Sequence, residues 1–203
     1  MPRCGKRWHV LDPSSLQCRY GVTDDGTRRR SSRLRVFSRS HRERRIVAMR
    51  ATCPCCGKER EFMYRGPIYC REDIPHVCPW CIHSGEAQRT WDASFNDAHS
   101  IPKNVPKQTI DTVCNRTPGF ESWQTNQWLF SETDAMVFVG EIDGAILLAE
   151  ADDAKISACR KALDEWHFPD DFDFAEVTRG GQPAVYLFRD RQSGEYSAYA
   201  DMT

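Results

Sequence analysis

Cys53-Pro54-Cys55-Cys56 and Cys78-Pro79-Trp80-Cys81 each place two thiols three residues apart, and 21 residues separate the two pairs. Zinc takes four ligands in tetrahedral array, with thiolate sulfurs at about 2.3 Å. The gap is close to the roughly 15 to 20 residues that separate paired zinc knuckles. This spacing predicts one zinc ion held by Cys53, Cys56, Cys78 and Cys81. Pro54 fixes the first turn, and Gly57 accepts the positive φ that lets the chain close around a metal. Cys55 is then a bystander. Four thiolates leave no position for a reactive water, so the chemistry expected is that of a fold staple or recognition platform rather than hydrolysis.

Other readings of the same residues predict other properties. Cys-Pro-aromatic-Cys also suits a thiol-redox site, which expects a buried strand ahead of it in a βαβ unit. The residues preceding Cys78 are REDIPHV, with three charges and a proline, and do not read as such a strand. Cys70, His76 and His83 lie near enough in sequence to join or replace a ligand, although four thiols already complete a site. Cys114 and Cys159 fall on helical patterns and read as small buried apolar residues. Cys4 and Cys18 match no partner pattern.

Charge divides the chain. Residues 1–50 carry 14 Lys+Arg against 4 Asp+Glu, whereas the remaining residues carry 14 against 25. Arg28 to Arg45 lies in a segment with few apolar residues and no periodic face, so residues 1–50 read as a basic, disordered extension, incidental to the domain at 51–203. An arginine-rich segment can neutralise phosphates, which makes nucleic acid a second candidate partner beside an unidentified, possibly protein, macromolecule. The acidic remainder disfavours nucleic acid. No run of about 18 uncharged apolar residues is present, and the first thirty residues lack the apolar centre of a secretion signal. The expectation is a cytoplasmic protein without membrane contact. Ten cysteines in such a compartment point to metal before disulfides.

The elements that must position these thiols can be read from periodicity. Phe62 to Tyr69 reads as a strand interrupted by Gly-Pro, and His83 to Phe95 as a short helix with Ala87, Trp91 and Phe95 on one face. Thr109 to Arg116 reads as a helix that must stop before Pro118. The stretches GFESWQTNQWLF and MVFVGEI supply core strands or a tight packing loop. Glu150 to Trp166 reads as an amphipathic helix with Ile156, Cys159, Leu163 and Trp166 on its stripe. Residues Ala184 to Asp201 read as a hairpin around DRQSGE. The fold class expected is α+β, a small zinc-ribbon-like N-terminal part fused to a compact α+β domain ending in a β-hairpin. Trp91, Trp123, Trp128 and Trp166 are assigned to the core, Asp152-Asp153 to a helix N-terminus, and a binding role is open to Arg116 and Trp123.

At GPIY (66–69), CPWCIHSGEA (78–87), FND (95–97) and RTPGFESWQ (116–124) the chain resembles the CbrC family, bacterial cysteine-rich proteins of largely undefined activity, one of them linked to colicin tolerance. The resemblance covers residues 51–203. It implies zinc at the same four cysteines, an interaction or stress-related role, and a second cysteine cluster farther on. This chain departs from that second cluster, with SETDAM at 131–136 and RDRQSGEY at 189–196 and no cysteine in either. One zinc is therefore expected, not two. No Walker loop, dinucleotide fingerprint, nucleophile elbow or His-Glu-x-x-His helix occurs, so no enzyme is expected.

Overall fold

The computed structural model describes residues 45–99, 101–132 and 134–202. The chain divides into Met1–Ser40 and His41–Thr203, and every described residue belongs to the second unit. The expected disordered extension, with Cys4 and Cys18, lies outside the described residues apart from its last six. Those six are ordered: β1 spans Ile46–Thr52, so the division at residue 50 falls inside a strand.

β1 pairs antiparallel with β2 (Glu59–Tyr64), running from Ile46 opposite Tyr64 to Thr52 opposite Glu59. β2 ends five residues before Tyr69, where the sequence pattern had the strand continue. The chain turns away at Gly66-Pro67, and Tyr69 makes its own bridge to Ser94. It then returns to the end of β2, where Tyr64 and Val77 exchange both backbone hydrogen bonds, at 2.8 and 3.1 Å. This return delivers Cys78 to the cluster.

α1 (Pro79–His83) and α2 (Glu86–Trp91) replace the single helix expected over 83–95. Gly85, at φ +73°, breaks the run, and Asp92, at φ +52°, ends it. Phe95 lies beyond the helix but is still buried, edge-on to Tyr64. α3 (Lys107–Arg116) starts two residues earlier than the pattern indicates, because Pro106 pre-sets its entry. Its last carbonyls are met by the buried Asn96, whose Nδ2 donates to Val113 O at 2.7 Å and Thr117 O at 2.8 Å.

The C-terminal part is built on a three-stranded antiparallel sheet: β3 (Val137–Glu141), β4 (Ala184–Arg189) and β5 (Tyr196–Asp201), with β4 central. The expected β4–β5 hairpin is present. Its turn is set by Asp190, whose Oδ1 accepts from the backbone N–H groups of Gln192 and Ser193. A central strand covered on both faces needs a continuous apolar run, and AVYLF at 184–188 is buried throughout. Val185 and Leu187 face Leu147, Cys159, Leu163 and Phe174, while Ala184, Tyr186 and Phe188 face Val113, Phe120 and Trp128.

The helix expected over 150–166 is two. α4 (Gly144–Glu150) is capped by the Asp143 carboxylate and α5 (Asp153–Asp164) by that of Asp152, with Ala151 at φ +51° between them. Cys159 and Leu163 are buried as the stripe predicts, but the chain leaves the helix before Trp166, which is 44% exposed. Trp123 is exposed as well, so only Trp128 of the four tryptophans is a fully buried core residue, and Trp91 packs partly against the N-terminal core.

α4 starts against the Phe174–Glu176 turn. A Cβ on Gly144 would overlap the Phe174 carbonyl oxygen and lie 2.9 Å from its carbon. Neither backbone can yield cheaply. Gly144→Ala is expected to cost about 3 kcal/mol, and roughly 6–12 °C in thermal denaturation. A shift below about 2 °C would show that the α4 entry relaxes freely.

Candidate metal centre

The first knuckle occupies the β1–β2 turn. Cys53 N–H donates to Lys58 O at 2.9 Å, and Gly57 N–H donates back to Cys53 O at 2.8 Å. Gly57 has φ +67°, the conformation the sequence assigned to it. The second knuckle opens α1: Cys78 is the residue before its first turn, Pro79 fills the position that needs no N–H, and Cys81 N–H donates to Cys78 O at 3.0 Å. Arg60, on β2, lays its guanidinium 4.8 Å over the Trp80 ring, which ties the second knuckle to the strand leaving the first.

The four predicted sulfurs meet. The ligand atoms of Cys53, Cys56, Cys78 and Cys81 all lie within 4.8 Å of one another, the only such His/Cys/Asp/Glu group among the described residues. The Cys53–Cys81, Cys56–Cys78 and Cys78–Cys81 sulfur separations are 3.9, 4.0 and 3.4 Å. Sulfurs 2.3 Å from a tetrahedral centre stand about 3.8 Å apart. The cluster therefore has the size of one such coordination shell, and its thiolate donor set suits a soft metal ion.

Backbone amides converge on the sulfurs. Cys78 N–H donates to Cys53 Sγ across the two knuckles at 3.3 Å. Within each knuckle the fourth residue's N–H serves the first sulfur, Cys56 to Cys53 and Cys81 to Cys78. Cys53 and Cys78 are fully buried and Cys81 is 4% exposed, whereas Cys56 is half-buried. Hydrogen bonding to Cys78 and then Cys81 holds the Cys53 thiol far below its ordinary range. The same bond to Cys53 pushes Cys78 up to about 12, and bonds to Cys53 and Cys78 push Cys81 up as well. Protons alone cannot let adjacent buried sulfurs all ionise together; a bound cation can.

The other nearby candidates stand outside the group. Cys70 donates to Glu72 O at 3.1 Å, His76 Nε2 lies 3.3 Å from Thr52 O, and His83 is absent from the four-sulfur set. Cys114 and Cys159 are buried apolar residues, as their helical positions indicated, and burial pushes their thiols up to about 11 and about 12. Arg116 and Trp123 both have structural work. Arg116 Nε donates to Asp111 at 2.7 Å, with its guanidinium against Gly85, and Trp123 Nε1 donates to Gly181 O at 2.9 Å.

Cys55, read as a bystander, stands outside the four-sulfur group. Its sulfur lies 3.9 Å from Thr90 Oγ1, and burial pushes its thiol up.

An α+β chain with small sheets, whose N-terminal core closes over four clustered cysteines, is thus a cysteine-cluster protein fitted to hold a metal ion. Comparison with known proteins places it more narrowly: the chain belongs to the Uncharacterised protein family (UPF0167), whose family model matches residues 34–202. It is similar to UPF0167 protein Mb2317 of Mycobacterium bovis, 37% identical over 161 residues, covering 77% of this chain and 85% of that protein. It is also similar to UPF0167 protein PA1536 of Pseudomonas aeruginosa, 35% identical over 170 residues, covering 78% and 89%. No solved structure matches it. No helix among the described residues is long and apolar enough to cross a membrane.

Proposed function

We propose that this is a zinc-binding protein without catalytic chemistry of its own, in which Cys53, Cys56, Cys78 and Cys81 hold one ion and staple the N-terminal half into a ribbon-like platform for a macromolecular partner. The observation that carries the reading is the spacing of the four sulfurs, 3.4 to 4.0 Å along three of their edges. When bound, zinc would neutralise the thiolates and fix both knuckles. The chain's own groups prepare this: amides aim at the sulfurs, Gly57 permits the turn, and the Tyr64–Val77 bridge brings the second pair back to the first. A dithiol redox site would need only Cys78 and Cys81, and would leave the convergence of Cys53 and Cys56 on the same point without purpose.

The reading includes a cytoplasmic location, supported by a cysteine set arranged for metal rather than for disulfides, and kinship with the CbrC family, supported by the motif matches. A protein partner is favoured over nucleic acid because residues 101–202 carry 18 acidic against 9 basic side chains, a surface that repels phosphate.

Metal analysis of the protein purified without chelator tests this, with about one zinc per chain expected. Metal binding releases thiol protons, so affinity must weaken as pH falls, and zinc should leave on acidification and return on neutralisation. A purified, folded chain that carries no zinc and takes none up on titration would end the proposal.

A further inference from the structure

Residues 117–127 form neither helix nor strand, and they are held from two sides. On the N-terminal side Asn96, 2% exposed, donates from Nδ2 to Thr117 O at 2.8 Å and accepts at Oδ1 from Asn126 Nδ2 at 2.7 Å. One buried amide thus closes both ends of the segment. Gly119 lies flush against the same wall: a Cβ there would stand 2.5 Å from Phe95 O and 3.0 Å from the Tyr64 hydroxyl. On the sheet side the bonds reach the middle. Trp123 N–H donates to Tyr186 OH at 3.2 Å, its Nε1–H to Gly181 O at 2.9 Å, and Gln124 N–H to Asp201 Oδ2 at 2.9 Å.

The N-terminal anchors belong to the core that encloses the four sulfurs. Tyr64 and Phe95 share its buried cluster with Cys53, Cys78 and Cys81, and Tyr64 is bonded through its backbone to Val77, the residue before Cys78. A segment with no backbone ladder of its own opens when the side-chain bonds that hold it are released.

We infer that residues 117–127 are a strap that couples metal occupancy to the face around Trp123. With the ion bound, Asn96 and the Tyr64–Phe95 wall hold the strap's ends, and Trp123 stays seated on Gly181. With the ion withdrawn, those anchors loosen and Trp123, 46% exposed, leaves its seat while the sheet beneath stays folded. The inference rests on the zinc reading above and adds regulation to it: the Trp123 face is ordered only in the loaded protein. Linkage requires the converse, so loosening the strap's hold on Asn96 weakens the hold on zinc.

The test uses wild-type protein first shown to hold zinc stoichiometrically, with its tryptophans labelled with nitrogen-15. That loading separates the two proposals: a chain that takes up no zinc removes the metal site and the coupling with it, whereas results on loaded protein bear on the strap alone. Trp123→Phe assigns the Trp123 indole signal. Trp128, whose Nε1–H donates to Met136 O at 2.9 Å in the C-terminal core, is the internal reference. As a chelator withdraws zinc, the Trp123 indole N–H should shift and exchange with solvent several-fold faster, with Trp128 unchanged, and should recover when zinc is restored. An unmoved Trp123 would overturn the inference. So would loss of both signals together, because the ion would then hold the whole chain rather than a strap. Asn126→Ala removes the bond to Asn96 and touches no sulfur. Loaded with zinc, it should show several-fold faster Trp123 exchange and give up its zinc to the chelator several-fold faster than wild type. Either quantity equal to wild type would refute coupling through Asn96. Should Asn126→Ala not fold, the wild-type titration decides alone.

Discussion

Cys53→Ser is expected to abolish stoichiometric zinc binding and to unfold the N-terminal half of the domain. Cys53 is fully buried and central to the cluster: its sulfur accepts the Cys78 amide at 3.3 Å and stands 3.9 Å from that of Cys81. Serine offers a hard, poorly ionising oxygen in place of a thiolate, and three remaining sulfurs do not close a structural site. The same buried cluster includes Met63, Val77, Ile82 and Phe95, so the core of β1, β2 and α1 loses its clamp together with the ion. Structural zinc contributes about 10–16 kcal/mol of apparent binding energy in small zinc modules, comparable to a domain's whole stability of about 5–15 kcal/mol, so packing does not offset its loss. Metal analysis and amide hydrogen exchange over residues 46–95 report the two consequences separately. Full zinc retention, or protection equal to wild type, would contradict the staple role.

Phe120→Ala is expected to cost about 4 kcal/mol without changing metal content, because it empties the centre of the second core. The Phe120 ring stacks on Phe138 at 4.1 Å between centroids and contacts Trp128, Tyr186 and Phe188 at 5.6 to 5.9 Å. It is the residue through which the irregular segment after α3 covers one face of the sheet. Trp128, Ala135 and Met136 anchor the rest of that segment in the same cluster, and polar contacts tie it further: Trp123 N–H to Tyr186 OH, Gln124 N–H to Asp201 Oδ2 and Gln127 N–H to Tyr199 OH. A fall in melting temperature of roughly 8–16 °C with zinc retained would place the damage in the C-terminal core. A change below about 2 °C would mean that the segment repacks around the cavity.

The four-cysteine cluster was legible because its code is local and chemical. Two Cys-x-x-Cys turns are specified by residues within four positions of each other, and no other arrangement of Cys53, Cys56, Cys78 and Cys81 uses both pairs. The β4–β5 hairpin was legible for the same reason, as a turn built on Asp190 and Gly194 between runs able to form strands. The stripe of α5 also survives at Ile156, Cys159 and Leu163.

Three things were set elsewhere. Ala151 is a strong helix former, and nothing beside it announces φ +51°; the break arises because the Asp143 and Asp152 carboxylates each cap a separate helix. GFESWQTNQWLF has the residues of a strand but forms none, because its N–H groups are taken by side chains of the sheet beneath it rather than by a neighbouring backbone. The return of the chain from Tyr69 to the end of β2, where Val77 pairs with Tyr64, has no local signal, yet it delivers Cys78 to Cys53.

The amino-acid order by itself determined which thiols can share an ion and where the terminal hairpin turns, since both depend on groups a few bonds apart. Tertiary structure alone decided that the two knuckles lie within reach and that a strand-like run becomes a cover over the sheet. Those outcomes depend on contacts between residues 13 to 77 positions apart, such as Tyr64 with Val77, Cys53 with Cys81 and Gln124 with Asp201, for which adjacent residues carry no signal.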